Sequence, residues 1–209
     1  MTKLKKLTAG KPFISLLVIL VLSVVIDQVS KQWAQKSLLD EGFFAETGDY
    51  PVCGTLAESL KRERFVGRHR QSVEVIDGFF NLRYVENCAS AFGVMNRVPE
   101  GVRFPFFLVI SILALGFIPY LYVKTPADQK LMLYSLPFIL GGAIGNLIDR
   151  LVTRYVIDFI EWYITIGGQD RHWPTFNIAD AAIVIGIGLM ALQMLPIRKK
   201  AQEASPSKN

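Results

Sequence analysis

Histidine and cysteine are scarce, with two of each in 209 residues. Neither His69 nor His172 belongs to an H-E-x-x-H helix, and no cysteine pair has zinc-ligand spacing, so no metal centre of those types is expected. Cys53 and Cys88 are too few for a disulfide scaffold. No G-x-S-x-G elbow is present. A triad could be drawn from Ser90, His172 and Asp158, but nothing in the spacing supports it. Charge is also sparse, at 20% of residues against 51% hydrophobic. Mean hydropathy is +0.33. That balance excludes a disordered chain and argues against an ordinary soluble domain. No internal repeat is visible. The net charge of +5 leaves nucleic acid or an anionic membrane surface as partners.

The distribution of apolar residues decides for the membrane. Four stretches stand out, at about 13–33, 104–123, 131–148 and 178–197. Each has the length a helix needs to cross the hydrocarbon layer. The first opens with FISLLVILVLSVVI and follows a lysine-bearing start. No A-x-A-like cleavage site comes after it, so it reads as a retained helix rather than a signal peptide. The expectation is a mainly α membrane protein, a single unit over 1–197 with four transmembrane helices. The tail at 198–209 reads as disordered and cytoplasmic.

Short flanking segments set the topology. Lys3, Lys5, Lys6 and Lys11 precede the first span, Lys124 and Lys130 lie between the second and third, and Arg198, Lys199 and Lys200 follow the fourth. By the positive-inside rule both termini are cytoplasmic. The long segment between spans one and two and the segment from about 149 to 177 are then outside. The run VEVIDGFFNLRYVENCASAFGVM, about 73–95, mixes β-branched and aromatic residues with turn signals and reads as a small extracytoplasmic sheet. Residues 40–72 read as an outer insertion, and a short outer helix or loop completes the outer part. Cys53 and Cys88 both fall outside, where oxidation is possible, but two free thiols are expected.

Polar residues within or beside the spans are candidate functional groups, because charge at membrane depth is expensive. Asp27 lies some 20 Å along span one at about 1.5 Å per residue, with Lys31 one turn on. A structural ion pair would also explain those two. Asn146 and Arg150 share a face at the end of span three, beside Asp149, which could simply anchor a helix end. Gly141 and Gly145 there form a G-x-x-x-G suited to close helix contact. Asp158 sits in the apolar run VIDFIEW, where a carboxylate's pKa should rise. Asn177 and Asp180 open span four on one face. Under the assigned topology these groups share one depth near the outer leaflet, and Asn87 can reach it. One shared site explains that better than separate accidents.

Two carboxylates are the chemistry such a site offers. Held close, they cannot easily both ionise. The ionised member can take a proton from water while the other protonates the scissile amide. Asp158 and Asp180 are the best pair.

The motifs resemble those of the lipoprotein signal peptidases, or signal peptidase II, bacterial inner-membrane aspartyl peptidases. The resemblance rests on Asp27-Gln28 with Lys31, Asn87 with Ala91-Phe92-Gly93, and Gly145-Asn146 with Asp149-Arg150. It continues through Val156 with Asp158-Phe159 and Phe176-Asn177 with Ala179-Asp180 and Ile183, in the family's order over about 13–197. It implies removal of the signal peptide from diacylglyceryl-modified prolipoproteins, cut just before the lipidated cysteine. It implies Asp158 and Asp180 as catalytic, with Asp27, Lys31, Asn87, Asn146, Arg150 and Asn177 shaping the site or binding substrate. It also implies no metal or organic cofactor, globomycin-type cyclic peptide inhibitors, an outer sheet forming a cradle on the membrane, and a mobile outer segment near 155–172. Nothing demands more than a monomer. Where the family has glycine two residues after Asn87, this chain has Ala89, which restricts positive φ. Two rivals remain: a proton- or cation-coupled small transporter, whose carboxylates should spread through the membrane depth, and a catalytically silent relative that binds lipoproteins.

Overall fold

The computed structural model describes residues 12–38, 72–88, 98 and 100–195. The lysine-bearing start, most of the insertion with Cys53 and His69, Ala89 and the rest of the 73–95 run, and the tail lie outside the described residues. Four helices are present: α1 Phe13–Leu38, α2 Glu100–Lys124, α3 Lys130–Thr153 and α4 Ile178–Met194. The first three are long and apolar enough to cross a membrane, and α4 is a shorter apolar helix. They run past the apolar windows: α1 continues to Leu38 and α3 to Thr153. The extra turn of α1 adds buried Ala34 and Leu38, and that of α3 adds Asp149, Arg150 and Thr153, polar residues that the apolar count leaves out but that bond inside the fold.

Helix α3 is central and packs against the other three. Small residues allow the approach. A Cβ at Gly141 would lie 2.6 Å from Ser23 Cβ of α1, and one at Gly145 would meet the Asp27 carboxylate of the same helix. The G-x-x-x-G therefore serves close helix contact, as its spacing suggested. Outward faces of α1 and α2 expose Leu17, Val18, Val21, Leu113 and Phe117, among others. In water such faces would be aggregation-prone, whereas in hydrocarbon they are solvated.

Four strands form one antiparallel sheet in the order β1-β2-β3-β4: β1 Ser72–Ile76, β2 Phe80–Asn87, β3 Val156–Ile166 and β4 Gln169–His172. Turn chemistry sets both hairpins. Gly78 takes φ +69°, and the two-residue loop Gly167-Gly168 takes +62° and +74°, values that glycine adopts without penalty. The residues near 155–172 are thus mostly two paired strands. Their near-continuous apolar run suits a strand covered on both faces, since Val156, Ile157, Asp158 and Phe159 are all buried.

The sheet docks on the end of α1. Ala34 and Leu38 pack with Tyr84, Ile157 and Phe159, and Trp33 meets the edge of Phe159 with ring centroids 6.4 Å apart. A backbone bridge then ties β3 to the approach to α4. Phe176 N donates to Ile160 O at 3.0 Å, and Ile160 N donates to Phe176 O at 2.9 Å. Asn177, the next residue, is thereby delivered to Asp158.

Candidate active site

Side chains this well hidden are normally apolar. Here Lys31, Asp27, Asp158 and Asn177 rank among the largest fully buried ones. They belong to two adjoining clusters.

The first lies between α1 and α3. Lys31 Nζ is 2.8 Å from Asp27 Oδ2 and 2.9 Å from Asp149 Oδ2. Gln28 Nε2 donates to Asp149 Oδ1 at 2.9 Å and, at 3.2 Å, to both Asp27 Oδ2 and the Gly145 carbonyl. Backbone donors finish the carboxylates. Ala179 N donates to Asp27 Oδ1 at 2.8 Å, and Ile157 N donates to Asp149 Oδ2 at 3.1 Å. Asp27 thus holds the first turn of α4, and Asp149 holds the backbone one residue before Asp158.

The second cluster contains the two candidate carboxylates. Asp158 Oδ2 accepts from Asn87 Nδ2 at 2.8 Å, and its Oδ1 accepts from Asn177 Nδ2 at 2.7 Å. Register explains the first contact, because Asn87 pairs with Val156 at the head of β3. Asn177 is the N-cap of α4. Its Oδ1 accepts from Asp180 N at 2.9 Å, while Asp180 Oδ2 faces Asn177 N, a reciprocal capping box. Asn146 closes the circuit, its Nδ2 donating to Asp180 Oδ1 at 2.8 Å and its Oδ1 accepting from Asn177 Nδ2 at 3.2 Å. Two side-chain amides therefore link Asp158 to Asp180.

Lys31 joins the clusters, donating to Asn146 Oδ1 at 3.0 Å. With Lys31 and Asn177 both offering N–H to one end of the Asn146 amide, only the oxygen can face them. The Asn146 amino group is thereby aimed at Asp180.

Asp158 lies on β3, outside the helices. Burial pushes its carboxyl up to about 7, and the negative charge of Asp180 adds to that rise. The Asn87 and Asn177 amides and the charge of Lys31 pull the other way. Arg150 bonds the Asn146 carbonyl at 3.0 Å and lies within electrostatic reach of Asp180, Asp149 and Asp158. Its guanidinium is 5.0 Å from the Phe107 ring centre. Arg150 also lines a small cleft with Asn87, Arg103, Phe104, Phe107 and Arg154.

Asn87, Asn146, Asn177, Asp158 and Asp180 thus share one hydrogen-bonded network, with Arg150 at its edge. Asp27 and Lys31 sit behind it, engaged by the first cluster. Sequence reading gave Gln28 no role and Asp149 only that of a helix anchor. The available signal was position: Gln28 and Asp149 stand next to Asp27 and Arg150, on helix ends already rich in buried polar groups. Cys88, directly after Asn87, is disulfide-bonded, against the expectation of free thiols. The only other cysteine in the sequence is Cys53.

Comparison with known proteins gives a consistent result. The family model described as Signal peptidase (SPase) II matches residues 19–196. A lipoprotein signal peptidase of Anaeromyxobacter sp. (strain Fw109-5) is 36% identical over 189 residues, covering 89% of this chain and 88% of that one. A lipoprotein signal peptidase of Geobacter sulfurreducens is 41% identical over 134 residues, covering 64% and 79%. A bacterial membrane enzyme solved by the in meso method at 2.3 Å resolution superposes with TM-score 0.62 at 25% identity, covering 95% of this chain and 96% of that one. Another, solved at 1.9 Å, gives 0.59 at 27% identity, covering 89% and 96%.

Proposed function

The chain belongs to the signal peptidase II family, and from that membership we propose that it is an aspartic endopeptidase whose reacting pair is Asp158 and Asp180. The family assignment makes it a multi-pass bacterial membrane protease that removes signal peptides from lipoproteins. The observation that carries the finer reading is the Asn146–Asn177 amide link between the two aspartates, together with an Asp158 carboxyl raised to about 7.

In this reading Asp180 acts as base and Asp158 as acid. Asp180 takes a proton from water as the water oxygen attacks the scissile carbonyl carbon. Asp158 delivers its proton to the carbonyl oxygen, giving a tetrahedral diol. Collapse breaks the C–N bond as Asp180 gives its proton to the departing amine and Asp158 takes one back from a diol hydroxyl, which restores both carboxyl groups. Asn146 and Asn177 hold both carboxylates in position throughout. Asn87 and Arg150, which line the neighbouring cleft, would contact the substrate backbone.

The substrate is a diacylglyceryl prolipoprotein, cut before the lipidated cysteine. Its signal peptide is an apolar helix already in the bilayer, and its acyl chains need hydrocarbon beside the cleavage point. With both termini cytoplasmic, the sheet end of the bundle faces the periplasm at that level. Catalysis needs no metal in this scheme, a monomer suffices, and globomycin-type cyclic peptides would compete for the same groove.

Reconstitution of the full chain with a lipidated prolipoprotein tests the reading. Asp158→Asn and Asp180→Asn should each abolish cleavage while substrate is still retained, and EDTA should leave the wild-type rate unchanged. Full activity in either variant would reject the pair, and EDTA sensitivity would point to a metal.

A further inference from the structure

Asn87 reaches Asp158 from the last pair of the β2–β3 ladder, and pairing alone holds that end of β2 weakly. A register shift divides the ladder. Between the Leu82–Ile160 and Val85–Asp158 pairs, Arg83 and Tyr84 of β2 stand opposite the single Phe159. A bulge of that kind interrupts ladder bonding and bends its strand. Only the pairs of Val85, Glu86 and Asn87 lie beyond it, on the side of Asp158. Terminal pairs next to an interruption are the part of a strand that frays first. The β3 side of the contact is fixed separately. Asp149 Oδ2 accepts from Ile157 N, and Thr153 Oγ1 donates to the carbonyls of Asp149 and Tyr155, which shapes the turn from α3 into β3.

A covalent tie sits where β2 needs one. Cys88 follows Asn87 directly, is disulfide-bonded, and lines the same cleft as Asn87 and Arg150. The only partner in the sequence is Cys53, so the bond closes a loop from 53 to 88 that contains β1 and β2. A staple for general stability has no need to end at this residue. This one ends beside the amide that donates to Asp158 Oδ2 at 2.8 Å.

We infer that the Cys53–Cys88 disulfide is a positioning element for cleavage: it keeps Asn87 against Asp158, and the rate depends on its oxidation. The inference rests on the proposed Asp158–Asp180 pair. Opening the bond needs a reductant. A small dithiol gives two electrons and two protons, the S–S bond breaks to two thiols, and the dithiol closes to its own disulfide. Asn87 is then free to leave Asp158 with its own chemistry unchanged. The other groups acting on the Asp158 carboxyl, Asn177 and Asp180 at the start of α4, Lys31 of α1 and Arg150 of α3, keep their places.

The test uses the full chain in detergent with a lipidated prolipoprotein, oxidised or treated with dithiothreitol, at a temperature where the reduced protein is folded. Peptide mapping without reduction should find Cys53 joined to Cys88. Reduction, Cys53→Ser and Cys88→Ser should each lower kcat on the order of tenfold, the scale of one hydrogen bond to a charged group. Each should also move the alkaline limb of the kcat profile upward, because the Asn87 N–H stabilises the ionised carboxyl. In Asn87→Ala reduction should change neither rate nor limb, since the contact that the disulfide protects is already gone. A merely structural staple would slow wild type and Asn87→Ala equally and leave the limb in place, which would overturn the inference. So would an unchanged wild-type rate with both thiols titrated, or two free thiols in protein isolated from an oxidising compartment. Asp158→Asn separates the two readings. If it is inactive while reduction has no effect, only the role of the disulfide falls; if it cleaves at the full rate, the aspartate pair falls and this inference with it.

Discussion

Two buried polar clusters lie side by side in this molecule, and they are balanced differently. Around Lys31, two carboxylates share one cation, and each also takes a backbone N–H. Around Asp158 and Asp180, the side chains that bond the carboxylates are the neutral amides of Asn87, Asn146 and Asn177, and the neighbouring Arg150 bonds a carbonyl instead. A carboxylate that is paired with a cation and bonded to a backbone N–H is fixed in position, which suits a scaffold. Two carboxylates linked only through amides keep a labile proton, which suits chemistry. Burial alone does not separate the roles, since Asp27 is 0% and Asp158 1% exposed. The source of compensation does.

Substitution in the two clusters should therefore fail in opposite ways. Asp158→Asn or Asp180→Asn should cut the cleavage rate by roughly 10²–10⁴-fold or more, the range of general acid–base contributions. Removing one of two repelling carboxylates should leave thermal unfolding close to wild type. Lys31→Met should do the reverse. It strands Asp27 and Asp149 without a cation, a loss of about 3–5 kcal/mol for a broken buried pair. Denaturation in detergent would register it, together with low yield of folded protein. If Lys31→Met folds normally and only slows cleavage, the division between scaffold and chemistry is wrong.

A smaller effect tests how tightly the scaffold is built. A Cβ at Gly145 would press on the Asp27 carboxylate and lie 3.3 Å from Ala179 Cβ. Gly145→Ala should then destabilise by about 1–3 kcal/mol, as overpacking does. Because Asp27 holds Ala179 N, the shift should carry into the first turn of α4 and lower activity too. A similar methyl at Gly188, where nothing lies within 4 Å, should be close to neutral in a melting experiment.

That scaffold was only partly legible in the sequence. Asp27, Asn146, Asp158, Asn177 and Asp180 stood out because each interrupts or borders an apolar run, and a depth argument could collect them. The Asp27–Lys31 pair was visible as an i,i+4 spacing. The Lys31 bridge to Asp149 was not, because those residues are 118 positions apart and only helix packing joins them. The sheet was half legible. Asp77-Gly78 announces a hairpin, but VIDFIEWYITI lacks the alternation of a half-exposed strand. It is covered by α1 on one side, and its partner β2 lies far back in the sequence. Asn87 could be suspected, but only the β2–β3 register explains why its amide meets Asp158.

The finest separation between the clusters is in their response to pH. Asp158 rises from the ordinary carboxylate value of 3.8 to about 7 in the fold. The folded state therefore binds this proton more tightly than the unfolded chain does. Its contribution to stability is fully present below about pH 4, declines as pH climbs towards 7, and is flat above. If the protonated carboxyl is the working acid, cleavage should fall on the alkaline side of about pH 7, and the apparent value belongs to the coupled pair. Asn87 supplies the means to move it. Its N–H stabilises the ionised form, so Asn87→Ala should push the alkaline limb upward and leave the rate below it reduced by any lost substrate contact. A pH profile of kcat for both proteins checks this. A limb that stays fixed in Asn87→Ala, or moves down, would mean that the proton lost near neutrality is not the one on Asp158.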